Sequence, residues 1–136
     1  MKRVLFLLLI FLLSCCGQKE VYTFSCHYQD ENEEWQNTYT VQDDEILQLT
    51  YRRTSRYAFS EKELQKMSGL YNSLEGVSYR YQNGDPFYEE ITIDTRKASL
   101  KDLHLYGFIE IEEGAAYVSS LQTLQQWRDA GFSCEP

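Results

Sequence analysis

The sequence predicts an α+β domain: one twisted antiparallel sheet of about five strands with two main helices packed on one face. Three observations predict it. Stretches in which aromatic and polar residues alternate recur along the chain. The connections between them are short and polar, and tight turns join antiparallel strands only. Two further segments carry apolar residues at helical spacing, one opened by a capping serine and one stopped by a glycine.

Along the chain, Tyr22, Phe24, Cys26 and Tyr28 alternate with Val21, Thr23, Ser25 and His27, a strand with one aromatic face. The charged turn Gln29 to Glu34 follows, then Trp35, Asn37, Tyr39 and Val41 alternate as a second strand. After Asp43-Asp44, Leu47, Leu49 and Tyr51 mark a third. Ser60 and Glu63 have capping-box spacing, and Leu64, Met67, Leu70, Tyr71 and Leu74 then predict a helix over 61–74 that ends near Gly76. Val77, Tyr79 and Tyr81, the Asn83-Gly84 turn signal, and Phe87, Glu89, Ile91 and Ile93 predict a second hairpin. Ser99 opens a short helix around 100–105, and Ile109 and Ile111 suggest a short extended piece. A final helix is expected over 117–130, on Val118, Leu121, Leu124 and Trp127, with Gly131 as its stop.

The chain opens differently. Lys2 and Arg3 precede Val4 to Leu13, an unbroken apolar run of ten residues. As a helix that run rises about 15 Å, roughly half the hydrocarbon thickness of a bilayer, so it reads as a secretion signal and not as a spanning helix. Leu12-Leu13-Ser14-Cys15 is similar to the lipobox of bacterial lipoproteins. That resemblance implies a thioether-linked diacylglyceryl group on Cys15 and cleavage between Ser14 and Cys15. Cys16 is the poorer acceptor, because Cys15 would then fill the small position before the cut. Two acyl chains hold a protein stably at a membrane where one does so only marginally. The expected organisation is therefore a signal peptide over 1–14, a lipid anchor and short tether over 15–20, and a single domain over 21–136, exported and anchored on the extracytoplasmic face of the cell envelope.

Loss of the signal leaves 122 of the 136 residues, and the formal charge moves from −8 to −10 as Lys2 and Arg3 depart. So acidic a body argues against nucleic acid as a partner and is repelled by anionic headgroups, which predicts a domain that stands off the bilayer on its lipid. An exported compartment permits disulfides. Cys26 lies near the start of the folded part, Cys134 near its end and Cys16 beside the anchor, so the expected bridge is Cys26 to Cys134. Closing so long a loop contributes about 4 to 5 kcal/mol in the chain-entropy account.

The residues that carry chemistry are few. His27 and His104 have no HExxH-like partner, and no Gly-rich phosphate loop or G-x-S-x-G elbow is present, so no metal or cofactor is implied. Asp30, Glu31, Glu33 and Glu34 offer hard oxygen donors but lack the glycine and spacing of an EF-hand, and read as a solvated turn. Glu89, Glu90 and Asp94 are the carboxylates on which a glycosidase-like hydrolysis would rest, given a suitable cross-cleft separation. Tyr51, Tyr57, Tyr79, Tyr81, Tyr88 and Tyr106 gather around the second half of the sheet, where those not consumed by the core would face a glycan, a peptide or a protein.

In order and spacing the chain resembles the YehR-like family of bacterial lipoproteins. The stretches that carry the resemblance are Leu74-Glu75-Gly76-Val77, Glu90-Ile91-Thr92-Ile93-Asp94 with Lys97 and Leu103, and Ala130-Gly131-Phe132. The resemblance implies a small two-layer α/β sandwich and brings no catalytic residues with it. The resulting expectation is a binding or protein-interaction module of the envelope and not an enzyme. Its partners would be the membrane, through the lipid on Cys15, and an envelope protein or glycan. A hydrolase using surface carboxylates and a purely structural envelope lipoprotein are the alternatives.

Overall fold

A computed structural model describes residues 19–136. The signal segment, Cys15 and Cys16 lie outside the described residues. Six strands form one sheet: β1 (Val21–Gln29), β2 (Glu33–Gln42), β3 (Glu45–Ser55), β4 (Val77–Gln82), β5 (Phe87–Asp94) and β6 (Ser133–Glu135). Three helices accompany them: α1 (Glu61–Tyr71), α2 (Leu100–Leu105) and α3 (Ser120–Asp129). The sheet order is β4-β5-β3-β2-β1-β6, and every pairing is antiparallel.

The α+β class and the antiparallel sheet agree with the sequence, whereas the strand count rises from about five to six. The extra strand is β6, whose three residues pair with Ser25, Cys26 and His27. It is too short for alternation to reveal. Cys134 stands directly opposite Cys26 there, and the two are bridged. Two helix boundaries also move. α1 stops at Tyr71, not Leu74, because the side chain of Asn72 turns away to bond both the N–H of Tyr79 (2.8 Å) and its carbonyl (3.0 Å), tying the helix end to the edge strand. Ser60 takes the N-cap position of α1 but makes no capping bond, so the expected capping box does not form. α3 begins at Ser120, not Tyr117, because Asp44 in the β2–β3 turn receives the N–H of Leu121 (3.0 Å) and the hydroxyls of Ser119 and Ser120 (2.7 and 2.9 Å). Ile109 is buried, but neither it nor Ile111 joins the sheet.

Alternation sorts the sheet into two unlike faces. Phe24, Tyr39, Val41, Leu49, Ile93 and Val77 face the helices and, with Leu103, Phe108 and Val118, form the core. The opposite face carries Ser25, Thr38, Thr50, Thr92 and Ser78 in one row across five strands, and His27, Gln36, Arg52, Glu90 and Arg80 in the next. One corner depends on glycine. Gly76 lies at φ 75°, and a Cβ there would stand 2.7 Å from the carbonyl oxygen of Asp94 and 2.8 Å from the N–H nitrogen of Ala98. The N–H of Asp94 in turn bonds the Gly76 carbonyl at 2.8 Å. The stretches around Gly76 and Asp94 that carry the family resemblance thus meet at a single packed turn.

Candidate functional site

The helices do not close fully on the sheet, and among the described residues two larger cavities lie under α1 and α3. The first, of about 400 Å³, lies under α3. Tyr39, Leu49 and Tyr51 form its floor, Thr123, Gln126, Trp127 and Ala130 its roof, and Gly107 to Glu110 one wall. Its aromatic residues are held by one another. Tyr39 stacks on Phe24 with centroids 4.6 Å apart and meets the edge of Tyr51 at 6.2 Å, while Tyr51 meets Trp127 at 6.1 Å. Tyr51 also donates to the carbonyl of Phe108 at 2.7 Å, which pins the wall to the floor.

Tyr39 has no such bond. Its ring is fully buried, yet among the described residues its hydroxyl makes no well-aligned hydrogen bond, although Tyr51, Trp127 and Asn37 stand near it, and neither amide atom of Asn37, two residues earlier on the same face, has a well-aligned partner. Buried polar atoms are nearly always paired, so this cluster is an unfilled demand. Burial pushes the Tyr39 phenol far above its ordinary range and Tyr51 up to about 12. Both hydroxyls therefore keep their protons at any physiological pH, and Tyr39 has a donor and lone pairs without a well-aligned partner among the described residues. Glu110 and Asp129 stand exposed at the rim, no lysine or arginine among the described residues lines the cavity, and an adjoining groove adds Glu112, Gln122 and Gln125.

The second cavity, of about 500 Å³, lies under α1 among Phe59, Leu64, Met67, Tyr71, Phe87 and Ile91, with Arg53 and Glu89 at its side. The Arg53 guanidinium sits 4.9 Å from the ring centre of Trp35 and 5.0 Å from that of Phe59. It pairs with Glu33 and, at 3.5 Å, with Glu89, while Glu89 accepts the Tyr79 hydroxyl at 2.9 Å. The bond from Arg53 holds the Glu33 carboxyl below its usual range.

The sequence-predicted residues are distributed as follows. Glu89 and Glu90 project from opposite faces of β5, and Asp94 is bonded by Arg96 at 3.1 Å and approached by Lys97 at 3.8 Å, so these three carboxylates do not converge on one cleft. Glu90 lies on the open face, where Arg52 (2.6 Å), Arg80 (2.7 Å) and Tyr88 (3.0 Å) all bond it; burial opposes ionisation there, but these donors outweigh it and hold the carboxyl at about 2. The acidic turn is spent on itself: Asp30 receives the N–H groups of Asn32 and Glu33 at 2.8 Å each, which keeps its carboxyl low. His27 lies 3.2 Å from Glu34 on the open face, and His104 lies 3.3 Å from the Ile109 carbonyl. Among the described residues no group of three or more His, Cys, Asp or Glu is placed to hold a metal, and no helix is long and apolar enough to cross a membrane. The tyrosines do not share one binding face. Tyr51 and Tyr79 point into the helix side, Tyr88 into the open face, and Tyr57 and Tyr106 into solvent. Sequence reasoning passed over Tyr39 and Trp127 as ordinary core residues. The usable signal was Asn37, an amide at an inward position of an otherwise aromatic and aliphatic strand face.

No established family profile matches this sequence, and no curated protein matches it. Solved structures do. The NMR structure of the E. coli YehR protein superposes with a TM-score of 0.68 at 20% identity, over 87% of this chain and 93% of that one. The chain has the YehR fold. An NMR structure of a protein from Streptococcus pneumoniae TIGR4 superposes with a TM-score of 0.60 at 13% identity, over 88% of each chain. The resemblance to the YehR-like family that Gly76, Asp94 and Gly131 suggested is thus matched by the architecture, and the likeness extends across the helices and the sheet.

Proposed function

We propose that this chain is an exported lipoprotein, acylated on Cys15, whose domain is a small-ligand binding module of the cell envelope that uses the cavity under α3. The lipobox supports the anchor. The observation that carries the binding reading is the buried Tyr39 hydroxyl, without a well-aligned hydrogen bond among the described residues, on the floor of a 400 Å³ aromatic cavity. Ligand sites are concave and mostly apolar, with a few polar groups that fix orientation, and this cavity has that composition. The acidic rim and the absence of lining cations favour a neutral or cationic ligand with an aromatic or branched apolar body and one group that hydrogen-bonds Tyr39.

Benzylamine, benzyl alcohol and benzoate test this directly by NMR titration of the full domain. Benzylamine and benzyl alcohol are expected to shift the Trp127 indole and the amides of residues 107–110 at about millimolar concentration, the range for fragments of this size. Benzoate is expected to bind at least about tenfold more weakly, since a carboxylate would meet Glu110 and Asp129 unopposed. Shifts confined to other surfaces, or equal shifts in a Thr123→Phe form whose cavity is filled, would overturn the assignment. Acylation is read separately, from the mass of the N-terminal peptide of the protein purified from its membrane and from loss of the lipid in a Cys15→Ala form.

A further inference from the structure

We infer that the end of the domain around Val21, Tyr22, Tyr117 and Leu121 is a bilayer-contact surface that seats the domain in the headgroup region of the membrane holding it. The inference rests on acylation of Cys15. Four peptide steps separate Cys15 from Lys19, a reach of at most about 14 Å, so whatever surrounds Lys19 is kept close to the headgroups.

Exposed apolar side chains are found at the same end. Eight large hydrophobic side chains are exposed among the described residues, and four of them are at this end: Val21 at 53%, Tyr22 at 43%, Tyr117 at 44% and Leu121 at 69%. Tyr22, Tyr117 and Leu121 lie together, because the Tyr22 hydroxyl lies 3.5 Å from that of Ser120, the Tyr117 hydroxyl donates to Asp44 at 3.4 Å, and the Leu121 N–H donates to the same carboxylate at 3.0 Å, while Val21 stands at the same end of β1 on the open face of the sheet. Tyrosine with an apolar body and a polar tip is the side chain that settles at a membrane–water interface.

Part of the acid charge at the tether end is spent on local partners. At the tether end Asp43 is paired with Lys19 at 2.9 Å, Asp44 is consumed in capping α3, and Asp94 is paired with Arg96 and approached by Lys97. Three exposed acids, Asp30, Glu31 and Glu34, sit in or beside the β1–β2 turn at the other end of β1. Nine strand residues separate the two ends by about 30 Å, several Debye lengths at physiological salt. Glu20 and Glu45 are exposed acids at the tether end as well, so contact there rests on the apolar side chains and the lipid and is not helped by charge.

The test uses the acylated full-length mature protein in nanodiscs of phosphatidylethanolamine and phosphatidylglycerol containing a trace of gadolinium-chelating lipid, read by paramagnetic broadening of backbone amides. Broadening is expected at residues 21–22, 43–45 and 117–121 and is expected to be absent at residues 30–34. In a Val21→Ser, Leu121→Gln form, which leaves the Tyr22, Tyr117 and Asp44 bonds in place, the broadening should fall by about twofold or more, because about half of the apolar contact is removed. A Leu121→Gln single form gives the same readout if the double form is unstable. Equal broadening in wild type and variants, or broadening spread over both poles, would overturn the contact surface while leaving the anchor intact. Protein that carries no acyl group by mass would instead overturn the lipoprotein reading on which the inference rests.

Discussion

β3 and β5 set two arginine–glutamate pairs back to back through the sheet: Arg52 opposite Glu90 on the open face, and Arg53 opposite Glu89 on the face under the helices. The residue types are the same and the outcomes differ. On the open face Glu90 collects two guanidinium groups and a phenol from three strands, which ties β4, β5 and β3 together where no second layer covers them. Under the helices Arg53 divides itself between Glu33 and Glu89, and its buried Nε has no partner. One face is a completed surface. The other has polar groups still to be satisfied, at Arg53, Asn37 and Tyr39, and both larger cavities lie on that side. The contrast locates binding capacity on the covered face, although a solvent-exposed sheet face is where an open site would ordinarily be sought.

The most damaging way to break this contrast is Arg53→Met. It removes the cation that Glu33 and Glu89 share at 23% and 14% side-chain exposure, so two carboxylates lose their partner in surroundings that hydrate them poorly. A loss on the order of 3 to 5 kcal/mol is expected from the urea midpoint at pH 7. A loss near 1 kcal/mol would mean that this side of the sheet is as wet as the other, and the contrast would fail.

Glu90→Gln probes the open face and should cost less, on the order of 2 to 3 kcal/mol at pH 7, because Arg52 and Arg80, with 47% and 69% of their side chains exposed, turn to water when the carboxylate goes. Its pH signature is more specific than its size. The folded carboxyl titrates at about 2 against an ordinary value of 4.5, so its stabilising contribution is complete above pH 4.5 and is lost as pH falls from there through 2. Wild type should therefore lose more stability between pH 5 and 2 than the Gln form, and the two curves should converge at the acid end. Parallel curves would show that Glu90 gains little from its three donors.

How much of this was legible in the sequence depends on the range of the interaction. The strands were legible because each carries its own alternation, as in Tyr22-Phe24-Cys26-Tyr28, and the core of α1 because Leu64, Met67 and Tyr71 repeat within one element. Cys26 and Cys134 were legible as a pair because they stand near the two ends of the expected domain, whereas Cys15 and Cys16 sit beside the lipobox-like stretch. Features set by distant partners were not. The start of α3 is fixed by Asp44, 75 residues before Ser119, and β6 exists only through its pairing with β1. The back-to-back pairs need the register of β3 against β5, which neither strand encodes alone. The cavity was least legible of all, since it is a space between elements. Only Asn37, an amide where alternation demands an apolar residue, marked its neighbourhood from the sequence.

Tyr39→Phe should produce the smallest change in stability and sharpen the contrast most. The substitution deletes one buried hydroxyl that makes no well-aligned hydrogen bond among the described residues, so the ligand-free protein should lose nothing beyond about 0.5 kcal/mol and can gain slightly, because a poorly satisfied polar atom leaves the core. Tyr51→Phe on the same cavity floor is the control. It breaks a 2.7 Å bond to the Phe108 carbonyl and should cost about 1 kcal/mol. If Tyr39→Phe instead cost as much as Tyr51→Phe, a trapped water or another group would already be satisfying the Tyr39 hydroxyl, and the cavity floor would be as complete as the Glu90 lattice. If it is neutral for stability and still weakens benzyl alcohol binding by about tenfold, the hydroxyl has no role in holding the fold and a direct role in holding a ligand.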